Sequence, residues 1–413
     1  MRIVTLSPEQ FDKFASKHRY RNYYQSSVYG KTMRKFGFNI HFLGIADESN
    51  TLIGASLIIY REVFMGHKIA YAPRGILFNY DNPSQLHELV ELLKKVLGKQ
   101  GFMMLKIDPY IPATIRDNKG NIMNFNSQVN LIMANLKSAG FIHQGRTLFF
   151  EGEKPRWEAL TMLNKDIREI FNSFDKRTRH KIRKAATSGI ECFKDASKNI
   201  NALYKFIKRK APKPIEFYRE LISNFGDNCD IYYARINTEV YVVNSRRAYE
   251  REMDKNDKIA EKIQQLNLSV QAKNALLNKK MESDKLLNTY KNNMVQATNL
   301  LKQYPNGVIV AGAIIIKYDN SAFLYMDGYN TDFSNLNPNY LLKWKMIDDY
   351  NQQQMKYFNL NAIVGEFERK NKYSGLNEMK LGFNSIITEY IGEFDIILNN
   401  FIYGLYKNFN KDK

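Results

Sequence analysis

From Arg246 to Tyr304 the chain contains neither glycine nor proline. Over that stretch apolar residues recur at three-and-four spacing: Tyr249, Met253, Ile259, Ile263, Leu266 and Val270, then Leu277, Met281, Leu287, Tyr290, Met294 and Leu301. Such a repeat lines apolar side chains along one face of a helix. With a fold-back near Lys273 to Ala275, each arm of about 27 residues would run roughly 40 Å at the α-helical rise. The expectation is an antiparallel coiled-coil hairpin over residues 245–304, inserted into a globular unit. Residues 246–304 hold twelve basic and seven acidic side chains, which suits a solvated arm or a surface that touches a polyanion or a membrane.

On either side of this insertion, β-rich runs alternate with helical periodicity. The N-terminal half reads as strand IVTLS, a helix opened by Ser7-Pro8, the strands HFLGIA, TLIGASLIIYREVFMG and HKIAYAPRG, a helix after Asn82-Pro83-Ser84, strand FMMLKIDPYI, helix VNLIMANLKSAG and strand FIHQGRTLFF. The C-terminal half repeats that order loosely. Strands CDIYYARIN, GVIVAGAIIIKYDN and SAFLYMDGYN precede helix NYLLKWKMIDDYNQQQ and strand YFNLNAI. Two α/β units with mixed sheets are expected, residues 1–150 and 151–413.

The charge balance narrows the partners. Lys plus Arg is 61 against 42 for Asp plus Glu, a net +19, which suits a polyanion such as tRNA, a lipid pyrophosphate or an anionic membrane face. Cys192 and Cys229 offer neither a disulfide framework nor metal-ligand spacing, so no metal is expected and a reducing cytoplasm is. The opening MRIVTLSPEQFDKF lacks the apolar run of a signal peptide, and no segment approaches the roughly 20 apolar residues of a spanning helix. Membrane contact would then be peripheral.

Four stretches, in fixed order, carry a family resemblance: QSSVYGKTMRKFGF from Gln25, YAPRGILFNY from Tyr71, LKIDPYIP from Leu105, and GLNEMKLGF with EYIGEFD between Gly375 and Asp395. Together they resemble the Fem family of cell-wall peptidyltransferases over nearly the whole chain. The resemblance implies two tandem acetyltransferase-like (GNAT-like) domains and an enzyme without a cofactor. It would take an amino acid from aminoacyl-tRNA and join it to the stem peptide of a peptidoglycan precursor. Because family members with a helical arm act on lipid-linked precursor, it implies lipid II or a related muropeptide as acceptor, met at the inner membrane face.

Such a transfer needs a neutral attacking amine, stabilisation of an oxyanion and help for the departing ribose hydroxyl. No covalent nucleophile is needed, and none is recognisable in the sequence. Lys380 matches the lysine of the family's Phe-Lys motif, where a cation would stabilise the oxyanion or hold a phosphate of the tRNA end. The motif departs from the family at Met379, in place of Phe, and at Asn384, in place of Gly. Asp108 ends a strand before Pro109, where it would accept a proton from the attacking amine or orient it as a cation.

By the same resemblance, Lys213 contacts the precursor's diphosphate and Phe217 and Tyr325 line its pocket. The family's second precursor-binding lysine falls on Met33, so Lys31 or Arg34 beside it would substitute. Arg74-Gly75 lies in a Pro-Arg-Gly turn that is either structural or part of the site. A third motif, usually Gln-Pro-Arg, reads Gln144-Gly145-Arg146.

Lys176 to Lys184, KRTRHKIRK, has six Lys and Arg residues and no acid. As a helix it would dock through Thr178, Ile182, Ala185 and Ala186 and present Arg177, Arg179, Lys181, Arg183 and Lys184 to a tRNA backbone. Two rival functions fit the same residues. One is a Fem-like tRNA- or membrane-binding protein that has lost catalysis, as Met33, Met379 and Asn384 would allow. The other is an N-acyltransferase using a thioester donor, for which no clear glycine-rich pyrophosphate loop is present.

Overall fold

The computed structural model describes residues 1–209, 213–265 and 269–411. The chain opens with β1 (Arg2–Thr5), α1 (Pro8–Ala15) and α2 (Ser27–Lys35). Ser7 and Gln10 cap α1 reciprocally, each side chain accepting from the other's backbone amide, with Pro8 at the first helical position. Next come the antiparallel strands β2 (Asn39–Ala46), β3 (Leu52–Phe64) and β4 (His67–Ala72). Helix α3 (Pro83–Lys99) buries the leucine face read from its sequence and returns the chain to β5 (Phe102–Ile107), parallel to β4.

The chain continues through β6 (Pro112–Arg116), β7 (Ile122–Phe125), α4 (Val129–Ser138), β8 (Ile142–His143), β9 (Trp157–Met162), α5 (Ile167–Ser173), α6 (Lys176–Thr187), β10 (Ile190–Lys194), α7 (Asn201–Ile207), α8 (Ile215–Phe225) and β11 (Cys229–Ile236). Helices α9 (Thr238–Ile263) and α10 (Val270–Gln303) interrupt it before β12 (Val308–Tyr318) and β13 (Ser321–Tyr329). Then follow α11 (Pro338–Gln352), β14 (Tyr357–Ala362), α12 (Ser374–Leu381), β15 (Ile386–Tyr390), β16 (Phe394–Ile397) and α13 (Asn400–Lys411). Strands β11, β12 and β13 are antiparallel, and α11 leads to β14 parallel to β13. This repeats the connectivity of β2 to β5.

A seven-stranded sheet has the order β1-β2-β3-β4-β5-β16-β8, and a nine-stranded sheet the order β10-β11-β12-β13-β14-β9-β15-β6-β7. The sheets do not follow the expected division at 150 strand for strand. β6 and β7 leave the first half to extend the nine-stranded sheet, and β16 returns from the C-terminus to pair with β5 and β8. A core of Phe11, Tyr29 and Leu57 from the first half with Phe217, Leu221, Ile231 and Ile314 from the second joins the two sheets.

The hairpin differs from its expectation in two respects. Lys273 to Ala275 lie inside α10 and so do not form the turn; α9 ends at Ile263 and α10 begins at Val270, and Leu266 lies outside the described residues. Its antiparallel register is fixed by Asn256 bonding to Lys280 and Asp284, Glu252 to Ser283, and Thr238 to the Tyr304 carbonyl. The seam is thus partly polar: Glu252, Asn256 and Ser283 are buried while Met253, Leu277, Met281 and Val270 are exposed. A buried polar layer specifies register at a cost in stability.

Candidate active site

The turn after β4 places Arg74. The residue adopts φ 54°, and the following Gly75–Ile76 peptide is cis. Gly75 is required by close approach, because a Cβ there would stand 2.8 Å from the Gln25 amide. Gln25 in turn donates to the carbonyls of Pro73 (2.7 Å) and Leu57 and accepts from the Leu57 amide, so the first two family stretches pack on each other.

Arg74, 2% exposed, reaches from this turn into the nine-stranded sheet. Its Nη2 lies 2.7 Å from Glu158 Oε1 on β9, and its guanidinium stands 5.1 and 5.0 Å from the ring centroids of Tyr110 and Tyr390. The second Glu158 oxygen accepts from Tyr110 Oη (3.0 Å), Tyr390 Oη (3.1 Å) and Asn359 Nδ2 (2.7 Å). Each group is held by at least one other, so Arg74 belongs to a buried network between the sheets.

Asp108 closes this network at the end of β5. One oxygen, Oδ1, accepts from the Arg74 amide (2.6 Å) and from Tyr71 Oη (3.0 Å). The other, Oδ2, lies 3.5 Å from Arg74 Nη1 and has no hydrogen-bond partner among the described residues. Burial pushes the carboxyl up to about 6, against the opposing pull of the Arg74 cation. Asp108 lines a cavity of about 220 Å³ with Lys106, Gly145, Lys154, Arg156 and Glu393.

Lys106 and Lys154 also wall a larger cleft, of about 400 Å³, lined by Tyr29, Met33, Arg61, Tyr71, Lys213, Phe217 and Tyr325. Three candidates from the sequence therefore meet in one place: Lys213, Phe217 and Tyr325. Lys213 stands 5.5 Å from the Phe217 ring centroid and Lys154 4.1 Å from that of Tyr24. Lys31 and Arg34 are exposed on α2 and line neither cavity, because Met33 takes the inward position on that helix. The cations near Met33 come instead from Arg61, Lys154 and Lys213.

Lys380 and Asp108 do not share a cavity. Lys380 is buried at the end of α12, where its Nζ donates to the Ala362 carbonyl at 2.7 Å. Burial pulls its ammonium down to about 8, opposed by Asp327, while Lys343 adds to the depression. Its neighbour Met379, with Asp327, Tyr340 and Lys181, lines a third cleft of about 400 Å³ beside α6. Asn384 has φ 52°, a left-handed conformation that Asn tolerates better than most residues with a Cβ, so the loss of glycine there leaves the backbone path intact.

A model of the FemAB family matches residues 6–411. The chain belongs to the FemAB family. It is 23% identical to the aminoacyltransferase FemA of Staphylococcus epidermidis over 427 residues that span both chains in full. FemA of Staphylococcus aureus is 22% identical over 424 residues, covering all of this chain and 99% of that one. The crystal structure of FemX superposes with a TM-score of 0.71 at 18% identity, covering 98% of this chain and 99% of its own, which places the two in one fold.

In this FemAB chain the basic helix α6 docks by Thr178, Ile182 and Ala185 as expected, whereas Ala186, expected on the same face, is exposed. Its cations divide. Arg177, Arg183 and Lys184 are exposed, whereas Arg179 and Lys181 turn back on the protein. Arg179 Nη1 donates to the carbonyls of Asn172 and Phe174, which the end of α5 leaves without helical partners, and Lys181 Nζ donates to Tyr340 Oη at 2.8 Å. The expectation that all five face outward fails for these two. Lys176, Arg177 and Lys181 line a further cleft of about 340 Å³ against Glu378 of α12.

Glu158, Tyr110, Asn359 and Lys154 were not among the candidates read from the sequence. Glu158 left a legible signal, a carboxylate inside the otherwise buried strand WEALTM. Lys154, in a connecting loop before Pro155, left none.

Proposed function

We propose that this FemAB chain is an aminoacyltransferase that moves an amino acid from aminoacyl-tRNA to an amine on the stem peptide of a lipid-linked peptidoglycan precursor, at the inner face of the membrane. The observation that carries the reading is the cleft in which Tyr29, Phe217 and Tyr325 from both halves meet the cations of Arg61, Lys154 and Lys213. Aromatic walls with cations that make no ion pair among the described residues suit an acceptor that combines sugar or apolar surface with phosphate. No helix among the described residues is long and apolar enough to cross a membrane, so lipid-linked acceptor would be met from the surface.

In the transfer, the acceptor nitrogen attacks the ester carbon of the donor. A C–N bond forms, the C–O bond to the ribose breaks, the ammonium proton leaves to a base, and the departing ribose oxygen takes up a proton. Asp108 is mostly ionised at neutral pH and adjoins the cleft through Tyr71 and Lys154, so it holds the acceptor ammonium and takes its proton. Lys380 acts as a positioning residue, since its ammonium fixes the end of β14 and adds positive charge behind the cleft beside α6. Exposed Arg177, Arg183 and Lys184 would engage the donor's phosphates.

The test offers purified protein a lipid-linked muropeptide with either charged tRNA or aminoacyl thioesters. A mass gain of the acceptor with charged tRNA supports the proposal. A gain with thioester alone replaces it by the thioester-dependent reading.

A further inference from the structure

The cavity behind the cleft holds more charge than its size requires, and nearly all of it is paired internally. Arg74 is matched by Glu158, Lys106 by Glu393 and Asp395, and Arg156 by Glu389. Glu151 accepts from the Phe149 amide. Two groups on the wall remain. Asp108 Oδ2, on a side chain 3% exposed, has only the 3.5 Å ion pair with Arg74 Nη1 and accepts no hydrogen bond, and Lys154 Nζ, on a half-buried side chain, makes no hydrogen bond or ion pair among the described residues. They carry opposite charge, attract each other and line the same cavity, yet do not come into ion-pair contact.

A buried carboxylate oxygen that accepts no hydrogen bond and a half-buried ammonium without an anion in contact, set apart on one wall, leave room for a ligand of the complementary order. We propose that this cavity recognises an amine that has a carboxylate close beside it: the ammonium seats on Asp108 Oδ2 and the carboxylate on Lys154 Nζ. Lys154 is then a specificity-determining residue, which admits acceptors by their free carboxylate and discriminates against the carboxamide. The assignment rests on the transferase reading for its meaning, since the amine on Asp108 is the nucleophile of that reaction.

Geometry supports the pairing in a second way. Lys154 walls both the small cavity and the aromatic cleft, so a peptide lying in the cleft would pass its ammonium nitrogen on the way to Asp108. The Tyr24 ring, 4.1 Å from Nζ, fixes the ammonium from one side and leaves its other donors for a ligand. A carboxamide presents no charge to that ammonium and loses the charge-assisted bond.

Two synthetic peptides test this, each with one free lysine side-chain amine and identical except that the neighbouring carboxyl is free in one and amidated in the other. Titration calorimetry with the full chain needs no donor. The free acid should bind about tenfold more tightly, as expected of one charge-assisted bond. In Lys154→Met the two peptides should bind alike, with the amidated peptide changed less than about twofold, and Lys154→Arg should restore most of the preference. Equal binding of the two peptides by the unaltered protein overturns the assignment, as does an equal loss of both in Lys154→Met. A preserved preference in a protein that shows no transfer from tRNA leaves this assignment standing and overturns the transferase reading.

Discussion

Arg74 Nη2 and Glu158 Oε1 lie 2.7 Å apart across the junction between the seven-stranded and the nine-stranded sheet, both side chains buried. Glu158 also receives three further donors, so its removal would strand a buried guanidinium, two tyrosine hydroxyls and an amide at once. Glu158→Ala should therefore lower the unfolding free energy by about 3–5 kcal/mol. Denaturant titration of the two proteins measures it, and a loss below about 1 kcal/mol would mean that the network contributes little to joining the halves.

The carboxyl of Asp108, raised to about 6, sets the acid limb of the reaction. Transfer should fall as pH drops through about 6, because the protonated carboxyl no longer holds an ammonium. Asp108→Asn should be slower by about 100-fold or more and should lose that limb. A pH profile shared by wild type and variant would reduce Asp108 to a support for the Arg74 turn.

Lys380 makes a prediction of stability against pH. Its folded value of about 8 lies below the ordinary 10.5, so between those values the unfolded chain binds more protons. Stability from this group is therefore reduced below pH 8 and recovers as pH rises toward 10.5. Relative to Lys380→Met, the wild type should gain on the order of 2 kcal/mol across the window. Parallel stability curves for the two proteins would contradict the burial that depresses this amine.

The division of cations on α6 separates phosphate contacts from structural ones. Replacing Arg177, Arg183 and Lys184 by Gln should weaken tRNA binding and flatten its log-log salt dependence by up to about one unit per contact. Arg179→Ala should instead cost about 1–2 kcal/mol of stability through the two carbonyls it caps, with the salt slope kept. The reverse assignment of the two effects would show that the helix presents a different face to the tRNA.

Long-range periodicity made much of the fold legible. The leucine face of α3, the Ser7-Pro8 helix start and the glycine-free arm each depend on neighbours in sequence, and each is present. The seam of the arm was harder to read, because Met253 and Met281 satisfy the same spacing as Ile259 and Leu287 and only packing against the partner helix decides between them. Strand exchange was illegible for the same reason. Nothing in PATIR or FDII records that one extends the distant sheet and the other returns to the first.

In the candidate site, Arg74 and Asp108 lie within the family stretches, and Phe217 and Tyr325, matched to the family from outside those stretches, stand with them around the two cavities. Lys31 and Arg34 were placed by proximity to Met33 in sequence, and on a helix adjacent residues point in different directions. Lys154 comes from outside every motif and reaches the site only through the fold.

The most direct test of the account follows one label. Purified protein is given tRNA charged with a radiolabelled amino acid together with the lipid-linked muropeptide, and the bond that holds the label is assayed by mild alkali. Label should move from the alkali-labile ester of the tRNA to an alkali-stable amide on the acceptor, and Asp108→Asn should slow the transfer. Label that remains alkali-labile, with the protein folded and tRNA bound, would contradict it.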